Sequence, residues 1–289
     1  MILGAGLGTR LRPLTDELPK PLVPVGDRPA VAHVAAQLAS AGMDAAVINA
    51  HHLAAAFTPA RLASLPLRVQ VIVEDEILGT AGGVANAAPL LVEGEVLIWN
   101  ADILAGVDAG ALFAAHAAAS AEATLAIAPR SAGEGTVGIG QDGRVVRLRG
   151  QRFGEEAAGG DFLGVHVLSA ALRKALPRAG CLVGDVYLPA LRRGARIATF
   201  ASAGAWDDVG SVADYLAANA RWLARMGVDA WVGEGAQVSP GVTITGSVIG
   251  AGAVVTGEGA VTGSVIWPGA RAEAPLHRTV VTTGGRTAR

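Results

Sequence analysis

From Trp231 onward the chain repeats itself, and no other stretch limits its folding so narrowly. Gly233–Ile249 (GEGAQVSPGVTITGSVI) and Gly250–Ile266 (GAGAVVTGEGAVTGSVI) align without a gap, and nine of the 17 positions are identical. Aliphatic residues recur about every six positions, at Val232, Val238, Ile244, Ile249, Val255, Val261 and Ile266. A flexible Gly/Ser linker has no reason to space its aliphatics so regularly. A six-residue step with small residues between describes a parallel β-helix with three short faces per coil. Only about two to three coils are present, near the minimum for such a stack, so they are expected to lean on the rest of the chain or on another subunit.

The residues before the repeat have a different texture. Short apolar runs at Ala45–Asn49 (AAVIN), Leu67–Val73 (LRVQVIV) and Glu95–Trp99 (EVLIW) read as buried strands, and Met1–Leu3 as a strand stub. Between them, Pro29–Ala41, the stretch around Thr80–Leu91 and Asp108–Ser120 read as helices, with Pro29 in a first turn and Gly42 at a stop. A β-rich stretch covers about Ala123–Val167. A last helix runs from about Ser211 to Met226, with Ser211 and Asp214 as a capping-box-like start and Gly227 as its end. This alternation predicts an α/β domain over residues 1–228. Its expected form is a mostly parallel, Rossmann-like sheet with helices on both faces and its chemistry at the carboxyl ends of the strands. The β-helix and a C-terminal tail take residues 229–289.

Composition removes several function classes. Lys plus Arg is 23 and Asp plus Glu is 25, a net charge of −2 without the basic excess of a bulk nucleic-acid binder. Cys181 is the single cysteine, which excludes an intrachain disulfide and a thiolate zinc site. The mean hydropathy of +0.43 comes from alanine and valine spread along the chain. No run of about 18 uninterrupted apolar residues is present. The N-terminus lacks a basic start followed by a long apolar stretch. A cytoplasmic protein with no membrane or nucleic-acid partner is expected.

The densest chemical signal follows the first strand at once. It reads Gly4-Ala5-Gly6-Leu7-Gly8-Thr9-Arg10-Leu11-Arg12-Pro13-Leu14-Thr15, then Leu18-Pro19-Lys20-Pro21-Leu22-Val23-Pro24-Val25. Glycines let a backbone approach a phosphate and aim its N–H groups at it. Arg10 and Lys20 add two fixed cations. The third glycine comes one residue too early for G-x-G-x-x-G, and G-x-x-x-x-G-K-[ST] is also absent, so the dinucleotide and P-loop fingerprints fail. A glycine turn alone is more often structural than functional. Its combination with Thr-Arg and a Pro-Lys-Pro brace raises it above that background.

These residues resemble the sugar-1-phosphate nucleotidyltransferases, whose signature is GxGTRLxPLT followed by PK-x-L-x-P-V. Further segments resemble that family in order along the chain: Glu74-Asp75-Glu76-Ile77-Leu78-Gly79-Thr80-Ala81-Gly82-Gly83 its base-recognition loop, Asn100-Ala101-Asp102 a metal motif, and Trp206-Asp207-Asp208-Val209-Gly210-Ser211 the source of a second metal carboxylate. Val137-Gly138 and Asp161-Phe162-Leu163-Gly164-Val165 are similar to its sugar-side segments. A terminal left-handed β-helix is frequent there. The resemblance implies catalytic roles for Arg10, Lys20, Asp102 and Asp208, with Mg²⁺ on Asp102 and Asp208. It implies nucleotide contacts from Leu3, Gly4, Ala5, Gly6, Gly8, Thr9, Glu74, Gly79 and Thr80. It implies sugar contacts from Asn100, Gly138, Asp161 and Gly164. The implied partners are a nucleoside triphosphate, a sugar 1-phosphate and further copies of the chain.

The implied chemistry suits these residue types. A sugar phosphate oxygen attacks the α-phosphorus in line and pyrophosphate leaves. The nucleophile is already ionised at neutral pH, so catalysis reduces to neutralising charge and holding geometry. Mg²⁺ prefers a few carboxylates plus phosphate oxygens. Each residue also has a plainer explanation. Asp102 could be a turn residue, Asp208 could merely precede a helix cap, and its neighbour Asp207 blurs the assignment. Arg12 is equally a phosphate contact or a solvated arginine. Glu74 could cap a helix or accept from guanine N1–H and N2–H₂, which slightly favours GTP. His51 and His52 are more simply solvated than nucleotide-bound.

Two departures from the family stand out. Many members carry a Glu-Lys-Pro whose lysine holds the sugar phosphate; here the region reads Arg144-Val145-Val146-Arg147-Leu148-Arg149-Gly150, which offers Arg147 or Arg149 instead. Members also usually have a few more residues before the first strand, so a short first strand is expected. The favoured expectation is guanylyl transfer to mannose 1-phosphate. Uridylyl transfer to glucose- or N-acetylmuramate-type phosphates and thymidylyl transfer to glucose 1-phosphate are the alternatives within the family. A non-catalytic regulatory homologue would be expected to have lost the lysine or the acids. An acyltransferase β-helix would need a coil-borne His, and only His277 lies beyond Trp231.

Overall fold

The computed structural model describes residues 1–289. Its main sheet has ten strands: β1 (Ile2–Leu3), β2 (Ala45–Ala50), β3 (Arg68–Val73), β4 (Val96–Asn100), β5 (Ala123–Arg130), β6 (Val137–Ile139), β7 (Val145–Leu148), β8 (Gln151–Arg152), β9 (Ala158–Leu168) and β10 (Ile197–Ala201). Their order is β8-β7-β6-β9-β4-β1-β2-β3, with β5 pairing both β9 and β10. The four longer helices are α1 (Ala30–Ser40), α2 (Gly79–Asn86), α3 (Ala109–Ala119) and α4 (Val212–Met226). No helix is long and apolar enough to cross a membrane.

The sheet is mixed. It is parallel through β3, β2, β1 and β4, as the strand–helix alternation anticipates. Beyond β4 the long strand β9 runs antiparallel to β4, β5 and β6, and β7 and β8 continue as hairpins. Strands β2 and β4 are buried along nearly their whole length, which explains their continuous apolar runs. The run Leu67–Val73 reads alike in sequence, yet β3 is the sheet edge, and Val73 is 56% exposed. Its valines alternate with Arg68 and Gln70 because only one side meets the core. The helix expected to reach Leu91 stops at Asn86, and Ala88–Leu90 forms a separate 3₁₀ turn. Pro89 has no N–H with which to continue the helix. The core of this part gathers Val47, Val84, Ile98, Leu125, Ile127, Val137, Leu182, Tyr187 and Ile197.

Two compact units divide the chain, and they do not follow chain order. One comprises Met1–Gly6 and Val34–Trp206, and holds the ten-stranded sheet. The other comprises Leu7–His33 and Asp207–Arg289. In the second unit α4 opens on Ser211, whose hydroxyl accepts from Asp214 N at 3.2 Å, and closes on Gly227 at φ 70°.

The repeat builds three parallel ladders. Trp231, Val248, Val265 and Val280 stack in register on one face, Val238, Val255 and Ala272 on the next, and Ile244, Val261 and Leu276 on the third. The inward aliphatics Val248, Ile249, Val255, Val261, Val265 and Ile266 are buried. At one corner small hydroxyl residues stack beside them. Ser264 N donates to Ser247 Oγ at 3.0 Å and Thr279 N to Ser264 Oγ at 3.1 Å, which satisfies amides that the turn would otherwise orphan.

Candidate active site

In the first unit the sheet register brings the chemistry-bearing loops to one edge. Leu3 pairs with Asn49 on one side and with Asn100 on the other, so β1, β2 and β4 end together. Gly4, Ala5 and Gly6 leave β1 at that edge. Gly4 N donates to Asn49 Oδ1 at 2.8 Å, and Asn49 Nδ2 donates to Glu74 Oε1 at 2.7 Å. The other Glu74 oxygen accepts from Leu78 N at 3.3 Å. His51 Nδ1 lies 2.8 Å from the Glu74 carbonyl. Glu74 is only 3% exposed. Both of its oxygens are engaged inside the protein, where they shape the loop that follows.

That loop shows why glycines cluster in LGTAGG. Gly79 has φ +73°, and a Cβ there would stand 2.4 Å from the Gly180 carbonyl oxygen. A Cβ at Gly82 would meet the Arg178 carbonyl at 2.5 Å, and one at Gly83 would meet Asn49 Nδ2 at 2.5 Å. The segment 178–182 closes over the start of α2 by backbone bonds, Ala81 N to Gly180 O and Gly180 N to Leu78 O, both 2.8 Å. Thr80 Oγ1 accepts from Leu182 N at 2.7 Å. Cys181 sits in this closure. Burial pushes its thiol up, but the amides of Gly184 and Val183, the Arg149 guanidinium and Thr80 together hold it below the usual range.

Asp102 occupies the tight turn between β4 and the short strand Ile103–Ala105. The turn is pinned from both ends: Ala101 N donates to Leu3 O at 3.0 Å, and Trp99 Nε1 donates to Ile103 O at 2.9 Å. Trp99, the donor of the second bond, is fully buried. Asn100 stands beside Gly164, where a Cβ would be 2.6 Å from its Nδ2. Gly164 also has φ +64° and falls where the β9–β5 register shifts. Asp161 pairs with Arg130 Nε at 2.8 Å.

Arg147 and Arg149 part company. Arg147 donates to both Glu156 oxygens at 2.9 Å, to Gly135 O at 3.0 Å and to Glu134 O at 2.9 Å. The Arg147 guanidinium holds the Glu156 carboxyl down at about 2. A Cβ at Gly138 would lie 2.5 Å from Glu156 Oε2, so that glycine makes room for the pair. Arg147 is thereby a clamp for the loop 131–138. Arg149 is exposed, and its Nη2 donates to Cys181 Sγ at 3.2 Å.

The second unit holds the other half of the signature. Gly8 has φ +62°, and a Cβ there would meet Thr15 Cγ2 at 2.7 Å; the Thr15 hydroxyl donates to Gly8 O at 2.9 Å. Thr9–Leu11 and Lys20–Leu22 form 3₁₀ turns anchored by buried Leu11, Leu14 and Leu22. Arg12 Nε lies 3.3 Å from Asp16 Oδ1, an exposed ion pair. Asp207 and Asp208 are adjacent on a strand and face opposite ways. Asp207 is 1% exposed, and its carboxylate takes Arg221 and, at 3.1 Å, Arg225. Asp208 faces Gly210. A Cβ at Gly210 would stand 3.1 Å from Asp208 Oδ1 and 3.3 Å from Arg10 Nη2, so that carboxylate and that guanidinium share one small space. His277 lies on the last coil, its Nδ1 2.8 Å from Thr262 Oγ1.

The donor chemistry around these residues fits a hard cation. Nowhere in the chain do three or more His, Cys, Asp or Glu side chains gather into a ready-made metal cage. A hard divalent ion held by one or two carboxylates completes its shell with water and substrate phosphates.

The nucleotidyl transferase family model matches residues 1–225. Mannose-1-phosphate guanylyltransferase of Mycobacterium tuberculosis is 29% identical over 293 residues, covering 95% of this chain and 81% of the relative. N-acetylmuramate alpha-1-phosphate uridylyltransferase of Caulobacter vibrioides is 34% identical over 238 residues, covering 76% of this chain and 95% of the relative. Among solved structures, HddC from Yersinia pseudotuberculosis complexed with GMP-PN superposes with a TM-score of 0.64 at 22% identity, covering 76% of this chain and 97% of that one. At that identity the likeness is one of fold.

Proposed function

Because the chain belongs to the nucleotidyl transferase family, we propose that it transfers a guanylyl group from GTP to mannose 1-phosphate and releases pyrophosphate. An oxygen of the sugar phosphate attacks the α-phosphorus. The bond from that phosphorus to the bridging oxygen breaks, and pyrophosphate takes the electron pair. No proton has to move, because the attacking oxygen is already ionised. What the chain must supply is positive charge and alignment for two polyanions that repel each other.

The observation that carries this reading is the meeting of Arg10 and Asp208 around Gly210. A cation and a carboxylate held side by side suit a triphosphate that arrives with its divalent ion. Arg10 and Lys20 neutralise the triphosphate tail, the amides of Gly6, Gly8 and Thr9 donate to its oxygens, and Gly4 and Ala5 let the backbone approach it. Asp102 and Asp208 would hold Mg²⁺, which lowers the charge on the α-phosphate when bound. Gly79 and Thr80 lie at the base, with Glu74 acting through the loop it shapes. Asn100, Gly138, Asp161 and Gly164 face the sugar. Arg147 is spent on Glu156, so Arg149 is the arginine assigned to the sugar phosphate.

Because Glu74 is occupied internally, the preference for guanine rests on the relative that matches along 95% of this chain, β-helix included. The match to the uridylyltransferase over 76% of the chain supports a second reading, uridylyl transfer to an N-acetylmuramate-type phosphate. Pyrophosphate release across four triphosphates and a panel of sugar 1-phosphates, with Mg²⁺, separates them. Fastest turnover with GTP and mannose 1-phosphate is expected. Fastest turnover with UTP moves the assignment to the second reading, and no release with any pair rejects both. Self-association belongs to the proposal as well, because the end of α4 and the start of the first coil leave Met226, Val228 and Val232 exposed. Light scattering on Val232→Glu beside the parent chain tests it, an unchanged mass counting against this surface.

A further inference from the structure

Within the unit formed by Leu7–His33 and Asp207–Arg289, the loop bearing Arg10 and Lys20 is tied to the β-helix at two points. The first is Glu17. Its Oε1 accepts from the Thr282 hydroxyl, and its Oε2 accepts from Gly284 N at 2.9 Å. Arg286 Nη1 adds a bond to Asp16 Oδ2 at 2.8 Å. These partners belong to one turn, Thr282–Arg286, which joins Val280–Val281 to the antiparallel strand Thr287–Ala288. The turn is braced within itself: Thr282 N donates to Arg286 O at 2.9 Å, and Arg286 N to Thr282 Oγ1 at 3.0 Å. A Cβ at Gly284 would lie 2.7 Å from Glu17 Oε1, so a larger residue there would displace the carboxylate.

The second point is Pro24. Its carbonyl accepts from the Tyr215 hydroxyl at 2.6 Å, and that hydroxyl accepts from Trp267 Nε1 of the β-helix at 3.1 Å. Tyr215 and Trp267 are buried. Lys20 lies between the two ties, in a turn closed by Leu22 N to Pro19 O at 2.8 Å and Val23 N to Lys20 O at 3.2 Å.

We propose that the β-helix is a positioning element for the transfer reaction: its Thr282–Arg286 turn, acting through Glu17, fixes where Lys20 stands. The inference rests on the assignment of Lys20 to the triphosphate tail. Glu17 is a positioning residue, and the turn does two things to it. It anchors the backbone that leads to Lys20, and it occupies a carboxylate that would otherwise compete with phosphate for the Lys20 ammonium three positions on.

The full-length chain tests this. Thr282→Val removes the hydroxyl at nearly constant volume, Gly284→Ala drives a methyl against the carboxylate, and Thr282→Ser keeps the hydroxyl. Steady-state kinetics and amide exchange are measured on each. In the first two variants KM for the triphosphate is expected to rise about tenfold, and the Leu22 and Val23 amides to exchange about tenfold faster, with β4 amides unchanged. Thr282→Ser is expected to stay within about twofold of the parent on both readouts. Unchanged exchange at Leu22 and Val23, or a KM within about twofold in both disrupting variants, overturns the proposal. A parent chain that releases no pyrophosphate with any substrate pair is instead a failure of the functional reading, and the exchange arm then decides the tie by itself.

Discussion

Asn49 donates its side-chain amide to Glu74 at 2.7 Å and so joins the end of one strand to the start of the loop that leads into α2. The same amide's oxygen holds Gly4 N, which makes Asn49 the hinge pin of the glycine turn as well. Glu74→Leu leaves the buried Asn49 Nδ2 unanswered and is expected to cost about 1–3 kcal/mol. The double variant Asn49→Leu/Glu74→Leu should lose less than the two single losses together, because one unpaired group disappears with the other. Urea unfolding measures all three; strict additivity would mean that the pair is not coupled.

Gly210→Ala is the most economical probe of the candidate site. The added methyl would stand 3.1 Å from Asp208 Oδ1 and 3.3 Å from Arg10 Nη2, tight enough to push both by a few tenths of an ångström. The backbone there does not require glycine, so folding should be spared. Turnover is expected to fall about tenfold or more with little change in Tm. Full activity in Gly210→Ala would separate Arg10 and Asp208 from the chemistry.

The neighbours Asp207 and Asp208 should respond oppositely to the same change. Asp207→Asn weakens the bonds to Arg221 and Arg225 and is expected to cost about 1–2 kcal/mol of stability, since those arginines keep their access to water. Asp208→Asn is expected to lower kcat about 100-fold and to shift the Mg²⁺ requirement upward while leaving Tm nearly unchanged. Thermal melts and a Mg²⁺ titration of both variants read the contrast directly, and its reversal would exchange the two roles.

His166 makes stability depend on pH. Burial pushes its imidazole down to about 3, so the folded chain holds it neutral. Its contribution is therefore complete above the ordinary imidazole value of about 6.5 and is lost progressively as pH falls toward 3. Glu156, held down at about 2 by Arg147, adds a loss only below the ordinary carboxylate range. Between pH 6.5 and 4.5 the His166 effect is joined by those of His33, His116 and the Met1 amine, which burial also pushes down, so His166 must be isolated by substitution. Tm in that window is expected to fall less steeply in His166→Phe than in the parent chain. Parallel slopes would remove His166 as a source.

Much of this architecture was legible because periodicity is local. The six-residue step specified three faces, and the 17-residue copies specified the register of Val248 on Trp231 and of Val265 on Val248. Glycines in LGTAGG could be recognised as a loop but not explained. The partners that make Gly79 and Gly82 necessary, Gly180 and Arg178, lie far along the chain. Arg147 and Arg149 looked alike as stand-ins for a missing lysine. Only the position of Glu156 across the hairpin distinguishes them, and no spacing rule announces it. The edge placement of β3 escaped detection because strand order in a sheet is set by crossovers, not by the strand's own residues.

What the sequence determined by itself was the set of elements and the list of charged and glycine-rich positions, because propensity, turn chemistry and motif spacing act over a few residues. What tertiary structure decided was which of those positions work together. Leu7–His33 joins Asp207–Arg289 rather than the sheet it follows in sequence. Asp208 meets Arg10 while Asp207 turns away to α4, and Glu17 finds Thr282 after most of the chain has intervened. Such pairings arise when buried surfaces and hydrogen-bond donors must all be satisfied at once, a condition on the whole chain that no single segment contains.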